Sequence, residues 1–152
     1  MAAQAQATPG DIDAVKKWLN RGRGIDKEIR SLMIAKAAAE LRATNITSRA
    51  REKVTTKSRG RRDDALIILA EISADIDAQL ARINPILVEI AEVIFSVDNT
   101  TYRTLLIQRY MLFRPWNEIA LEMHYSPQHL KRLHGEALQL IANVCKMRKL
   151  LC

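Results

Sequence analysis

Apolar residues recur along this chain at steps of three and four, the spacing that places side chains on one face of a helix. Val15, Trp18, Leu19, Ile25, Ile29, Leu32 and Ala39 make the first such stripe, with Asp11 or Asp13 as its expected cap. Gly22 and Gly24 interrupt it. A glycine inside a helix costs up to about 1 kcal/mol, so a break near Arg21–Gly24 is expected. The pattern ends around Arg42–Thr44, and residues 1–10 before it read as a disordered leader.

A longer stripe follows. Leu69, Ile72, Ile76, Leu80, Ile83, Leu87, Ile90 and Ile94 repeat at coiled-coil spacing, behind a helix start at Asp63 and Asp64. Pro85 removes a backbone donor and crowds the previous turn, so Asn84-Pro85 either kinks this helix or caps a new one. Residues 44–62 lie between the stripes. There Thr, Ser and Arg alternate without apolar spacing, which reads as a basic linker. One helix cannot hide such a stripe by itself. The two are expected to pack as an antiparallel, coiled-coil-like hairpin over residues 11–97, anchored by Trp18. A bundle within one chain and a homodimer satisfy the pattern equally.

From Asp98 to Cys152 the stripes shorten to three. Asp98-Asn99-Thr100-Thr101 is a run of capping residues, followed by Tyr102, Leu105, Leu106, Arg109 and Tyr110. Leu112 to Arg114 closes that helix. Trp116 to Met123 forms the second, with Ile119, Ala120 and Met123 inward and Ala120 small enough for a steep crossing. His124 and Tyr125 turn the chain. Ser126 and Pro127 open the third helix, where Leu130, Leu133, Ala137, Leu140 and Ile141 should bury. Gln128, Lys131, Arg132 and Gly135 then face outward. This is the layout of a helix-turn-helix, whose second helix reads bases in a DNA major groove with its first two turns. Gln pairs with adenine and Arg or Lys with guanine. The fold class is therefore all-α: an N-terminal helical hairpin plus a C-terminal three-helix module over residues 98–152.

Composition narrows the function. Apolar residues make up 48% of the chain, enough for a core. The net charge of +7 is uneven: 15 Lys/Arg against 6 Asp/Glu over residues 1–62, 1 against 7 over 63–97, and 8 against 4 over 98–152. Basic ends suit phosphate contact. Candidate phosphate contacts are Arg59, Arg61 and Arg62 of the linker, and Arg114. Cys145 and Cys152 do not make a disulfide framework, no signal peptide is visible, and no apolar run escapes Asp or Glu long enough to cross a bilayer. A cytoplasmic protein is expected, inside a bacterial host and on its nucleoid when bound to DNA.

No catalytic set emerges, and no enzyme, cofactor or small-molecule substrate is expected. His124, His129 and His134 stand five residues apart, about 140° around a helix, and cannot converge on a metal. Asp63/Asp64 and Asp75/Asp77 lack a partnering base or nucleophile. No phosphate-binding glycine loop or CxxC occurs.

Thr100–Leu138 resembles region four of sigma factors, and more closely the ArpU/RinA-type phage and prophage transcriptional regulators. The matching words are LIQRY (Leu106–Tyr110), PWNEIA (Pro115–Ala120), HYS (His124–Ser126) and KRLHGEAL (Lys131–Leu138). Pro85, Gly22 and Gly24 depart from that family's layout. The resemblance implies base reading by Gln128, Lys131 and Arg132, DNA contact by Ser126 and His129, and an internal ion pair between Arg109 and Glu118. It implies a promoter in double-stranded DNA and RNA polymerase as partners, and activation of late viral genes. Two alternatives stay open: a DNA-packaging subunit similar to a small terminase, and a protein that binds polymerase or a sigma factor without reading DNA.

Overall fold

A computed structural model of the chain describes residues 6–50 and 56–149, with side chains at 6–45 and 60–149. All regular structure among the described residues is helical, and no helix there is long and apolar enough to cross a membrane. The elements run α1 (Pro9–Leu19), a 3-10 turn (Asn20–Gly22), α2 (Arg23–Ala50), α3 (Thr56–Phe95), α4 (Thr100–Leu106), a π turn (Ile107–Met111), α5 (Trp116–Met123) and α6 (Pro127–Met147).

α1 begins earlier than Asp11. Thr8 is its cap, and Asp11 returns the bond to the Thr8 backbone N–H at 2.8 Å, a reciprocal capping box. Ala7 is already buried, and its N–H donates to Gln139 of α6. Of the expected leader, residues 1–5 lie outside the described residues. The break predicted from the two glycines is present as the 3-10 turn, with Gly22 buried. Pro85 starts no new helix; α3 continues through it. The linker expected over 44–62 is narrower. α2 extends to Ala50 and α3 starts at Thr56, while residues 51–55 lie outside the described residues.

The chain divides into two compact units: residues up to Gly24 with those from Asn84, and Ile25–Ile83. In the first unit Val15 and Leu19 of α1, Ile90, Val93 and Ile94 of α3, Leu106 and Tyr110, and Leu138, Ile141 and Cys145 of α6 share one core. This grouping differs from the division expected at residue 98, because α1 and the end of α3 pack with α6. Trp18 accordingly packs on this core and not within a hairpin, with the Arg21 guanidinium 4.7 Å above its ring. α6 is covered on a second side as a result. Leu138, Ala142 and Cys145 bury fully, and Leu140, expected inside, is exposed.

In the second unit α2 and α3 run antiparallel. Gln79 Nε2 donates to Glu28 at 3.1 Å, and Ala39 and Arg42 share a groove with Arg61, Asp64, Ala65 and Ile68. Ile29, Ala39 and Ile83 are buried there, whereas Met33, Ile34, Leu41, Leu66, Ile67 and Leu80 are exposed.

Candidate nucleic-acid interface

α4 is capped by Asn99, whose side chain accepts from the Thr101 and Tyr102 N–H groups. Beyond Leu106 the helix widens by one residue. Leu112 N–H reaches Ile107 O, and Arg114 N–H reaches Gln108 O, each at 3.0 Å. The chain then reverses through Phe113, left-handed at φ 56° and buried. α5 ends in a second left-handed residue, His124 (φ 57°, ψ 38°), and the Tyr125 N–H closes the turn on Ala120 O. Ser126 Oγ accepts from the His129 N–H and opens α6, with Pro127 in its first turn.

The interior of this turn explains its shape. Leu105, Ile119, Ala120 and Leu130 bury together, with Trp116, Met123, Tyr125 and Leu133 packed around them. Ala120 supplies no bulk where α5 meets α6. With Leu130 and Leu133 inward, helical periodicity turns Gln128, Lys131 and Arg132 out, and all three are exposed. Neither Lys131 nor Arg132 has an ion pair among the described residues. Arg132 Nη2 donates to His129 Nδ1 at 2.8 Å, and the His129 ring stands edge-on to Tyr125. His129 thus steadies Arg132, and the rest of the Arg132 fork stays open. The Ser126 hydroxyl is occupied as a cap acceptor.

The expected phosphate contacts fall differently. Arg114 is ion-paired with Glu122 of α5. Arg61 and Arg62 are exposed in the first turns of α3, and the side chain of Arg59 lies outside the described residues. The ion pair expected between Arg109 and Glu118 is absent. Arg109 instead donates to Arg114 O at 3.0 Å and lies 4.5 Å from the centre of the Trp116 ring. The Arg114 carbonyl and the Trp116 ring at the start of α5 hold it.

Several interactions had no sequence signal. Arg23 donates to Arg109 O and lies over Phe113, clasping the π turn from the start of α2. Tyr110 OH and His134 Nε2 are 2.7 Å apart, and Trp116 meets His134 edge-on at 4.6 Å. Burial, with Lys16 and Arg109 nearby, pushes the His134 ring down to about 4, and burial lifts the Tyr110 hydroxyl to about 12. Lys16, Arg109, Tyr110, Trp116, Lys131 and His134 line a cavity of about 570 Å³ that no carboxylate enters. Asp11 pairs with Lys146 of α6 at 2.7 Å. That contact and the Thr8 bonds hold its carboxyl down to about 2.

No family model, curated protein or solved structure matches this chain.

Proposed function

We propose that this chain is a non-enzymatic, sequence-specific regulator of phage or prophage transcription that binds double-stranded DNA at a promoter. α5, the turn at His124–Tyr125 and α6 would act as a helix-turn-helix. One observation carries this reading: Gln128, Lys131 and Arg132 stand together, exposed and free of ion pairs, in the first two turns of a helix whose opposite face is buried. Those are the turns that meet base edges in a major groove. Lys16, Arg109 and Lys131 around the adjoining cavity supply positive charge without a competing carboxylate, which suits a phosphate backbone. The resemblance of Thr100–Leu138 to ArpU/RinA-type regulators supports the same reading. It also supplies the parts that geometry does not touch: a viral source, polymerase as partner, and activation.

The test is selection of double-stranded DNA from a random pool at moderate salt. Wild type should enrich a motif, and Arg132→Ala should relax preference at one position of it, by roughly 1–3 kcal/mol of discrimination. His129→Ala should relax the same position less, because it releases Arg132 without removing it. An Arg132→Ala variant with affinity and preference intact would remove α6 from the reading role. Salt-sensitive binding with no motif would leave a basic surface only, and would move the function to polymerase or sigma-factor binding.

A further inference from the structure

The Ile25–Ile83 unit holds two helices, and two helices can each cover only one side of the other. Met33, Ile34 and Leu41 of α2 and Leu66, Ile67 and Leu80 of α3 remain between 39% and 72% exposed. All but Ile67 lie to one side of the pair. On α2, Met33, Ala37 and Leu41 follow at steps of four, roughly 120° around the helix from the buried line of Ile29 and Ala39. On α3, Leu66, Ala70 and Leu80 stand about 100° from the line of Ala65, Ile72, Ile76 and Ile83. The helices run antiparallel, so equal offsets of the same sense fall on the same side of the pair. Met33, Ala37, Leu41, Leu66, Ala70 and Leu80 therefore share one face, while Ile67 and Ile68 stand off it.

The bond between Glu28 and Gln79, and the groove joining Ala39 and Arg42 to Asp64–Ile68, set the level of each residue along the pair. Leu41 lies level with Leu66, and Ala37 with Ala70.

We propose that this face pairs with the same face of a second copy of the chain, giving a four-helix bundle in which each α2 lies against the partner's α3. Charge selects that occupant and that orientation. Residues 63–81 of α3 carry five carboxylates and no Lys or Arg, while residues 27–42 of α2 carry four Lys/Arg and two Glu. Stacking α2 on α3 sets opposite signs together, and stacking like helices does not.

Sedimentation equilibrium of the full chain at micromolar concentration tests this, with Leu41→Glu/Leu66→Glu and Leu121→Glu as variants. Wild type should sediment at twice the chain mass of 17.2 kDa. The double variant should weaken association at least 100-fold, with Ala37→Glu, a milder change on the same face, weakening it in the same direction if the double variant loses helicity. Leu121→Glu, on the exposed side of α5, should leave the dimer unchanged. A monomeric wild type overturns the proposal, as do a dimeric double variant, a mass above two chains, and dissociation by Leu121→Glu. The proposal does not rest on DNA reading: a monomer that still selects a DNA motif sinks this inference alone.

Discussion

The His134 ring lies 2.7 Å from the Tyr110 hydroxyl and edge-on to Trp116, and burial above all, then the cations Lys16 and Arg109, disfavours its charged form. The folded chain therefore keeps this imidazole neutral to about pH 4, whereas the unfolded chain protonates it near 6.5. Between those values the unfolded state binds the extra proton, so stability is highest above about 6.5 and falls as pH drops toward 4. From pH 7 to 4.5 the loss should be roughly 2–3 kcal/mol, read as a lower urea midpoint. His134→Gln keeps a polar partner for Tyr110 and cannot titrate, so its midpoint should change much less over that range. An equal response in both proteins would place the acid sensitivity elsewhere. Asp11 does not confuse the measurement. Its carboxyl, held by Lys146 near 2, contributes stability that is full above the ordinary aspartate range and lost only as pH falls toward 2. The two remaining histidines stand apart from this effect: His129 braces Arg132, and His124 is exposed at the turn.

At the scale of elements, the turn between α5 and α6 is built at a cost. His124 is left-handed, and a side chain in that conformation crowds the backbone by about 1–2 kcal/mol. Because His124 is exposed, His124→Gly gives up no packing and meets the usual preference of a helix C-terminus. It should raise stability by about 1 kcal/mol, measured as a higher thermal midpoint; a lower midpoint would show that the imidazole makes a contact worth more than the strain. Ser126-Pro127 and Asn99 were legible in the sequence because capping is local: the residue that accepts the bond stands within three positions of the donor. The inward line of Ile119, Ala120, Leu130 and Leu133 was legible for a similar reason, since one neighbouring helix on one side leaves a plain 3.6-residue period. Leu140 was misplaced because α6 has neighbours on two sides, which shifts its buried arc toward Leu138, Ala142 and Cys145. The π turn had no local signal. Leu106 to Met111 reads as unbroken helix, and Arg23, which donates to Arg109 O there, stands 86 positions away.

For the whole molecule, the decisive fact is that the candidate reading head does not own its core. Leu138, Ile141, Ala142 and Cys145 of α6 are at most 1% exposed, and the side chains covering them include Val15 and Leu19 from α1 and Ile90, Val93 and Ile94 from α3. Two polar ties add to this, Lys146 to Asp11 and Gln139 to the Ala7 N–H. A fragment comprising residues 98–152 keeps the small cluster of Leu105, Ile119, Ala120 and Leu130 but loses the five aliphatic side chains that seal α6. Each buried aliphatic of that size contributes about 1.5–3 kcal/mol. Five together approach or exceed the whole stability of an ordinary domain, about 5–15 kcal/mol. The fragment should therefore show no cooperative thermal transition and poorly dispersed amide resonances, while the full chain melts sharply. Adding a peptide of residues 6–24 should not restore it, because Ile90, Val93 and Ile94 are still missing. A fragment that melts cooperatively would mean that α4 to α6 form a self-sufficient module, with α1 and the end of α3 only resting on it. The sequence suggested such a module because each of its three helices is amphipathic by itself. Amphipathic spacing says that a face is buried and leaves open which segment covers it. Here the cover for α6 comes from residues more than 100 positions earlier in α1 and about 50 earlier in α3. A loss of packing in either should reach Gln128, Lys131 and Arg132 through the one helix that carries them.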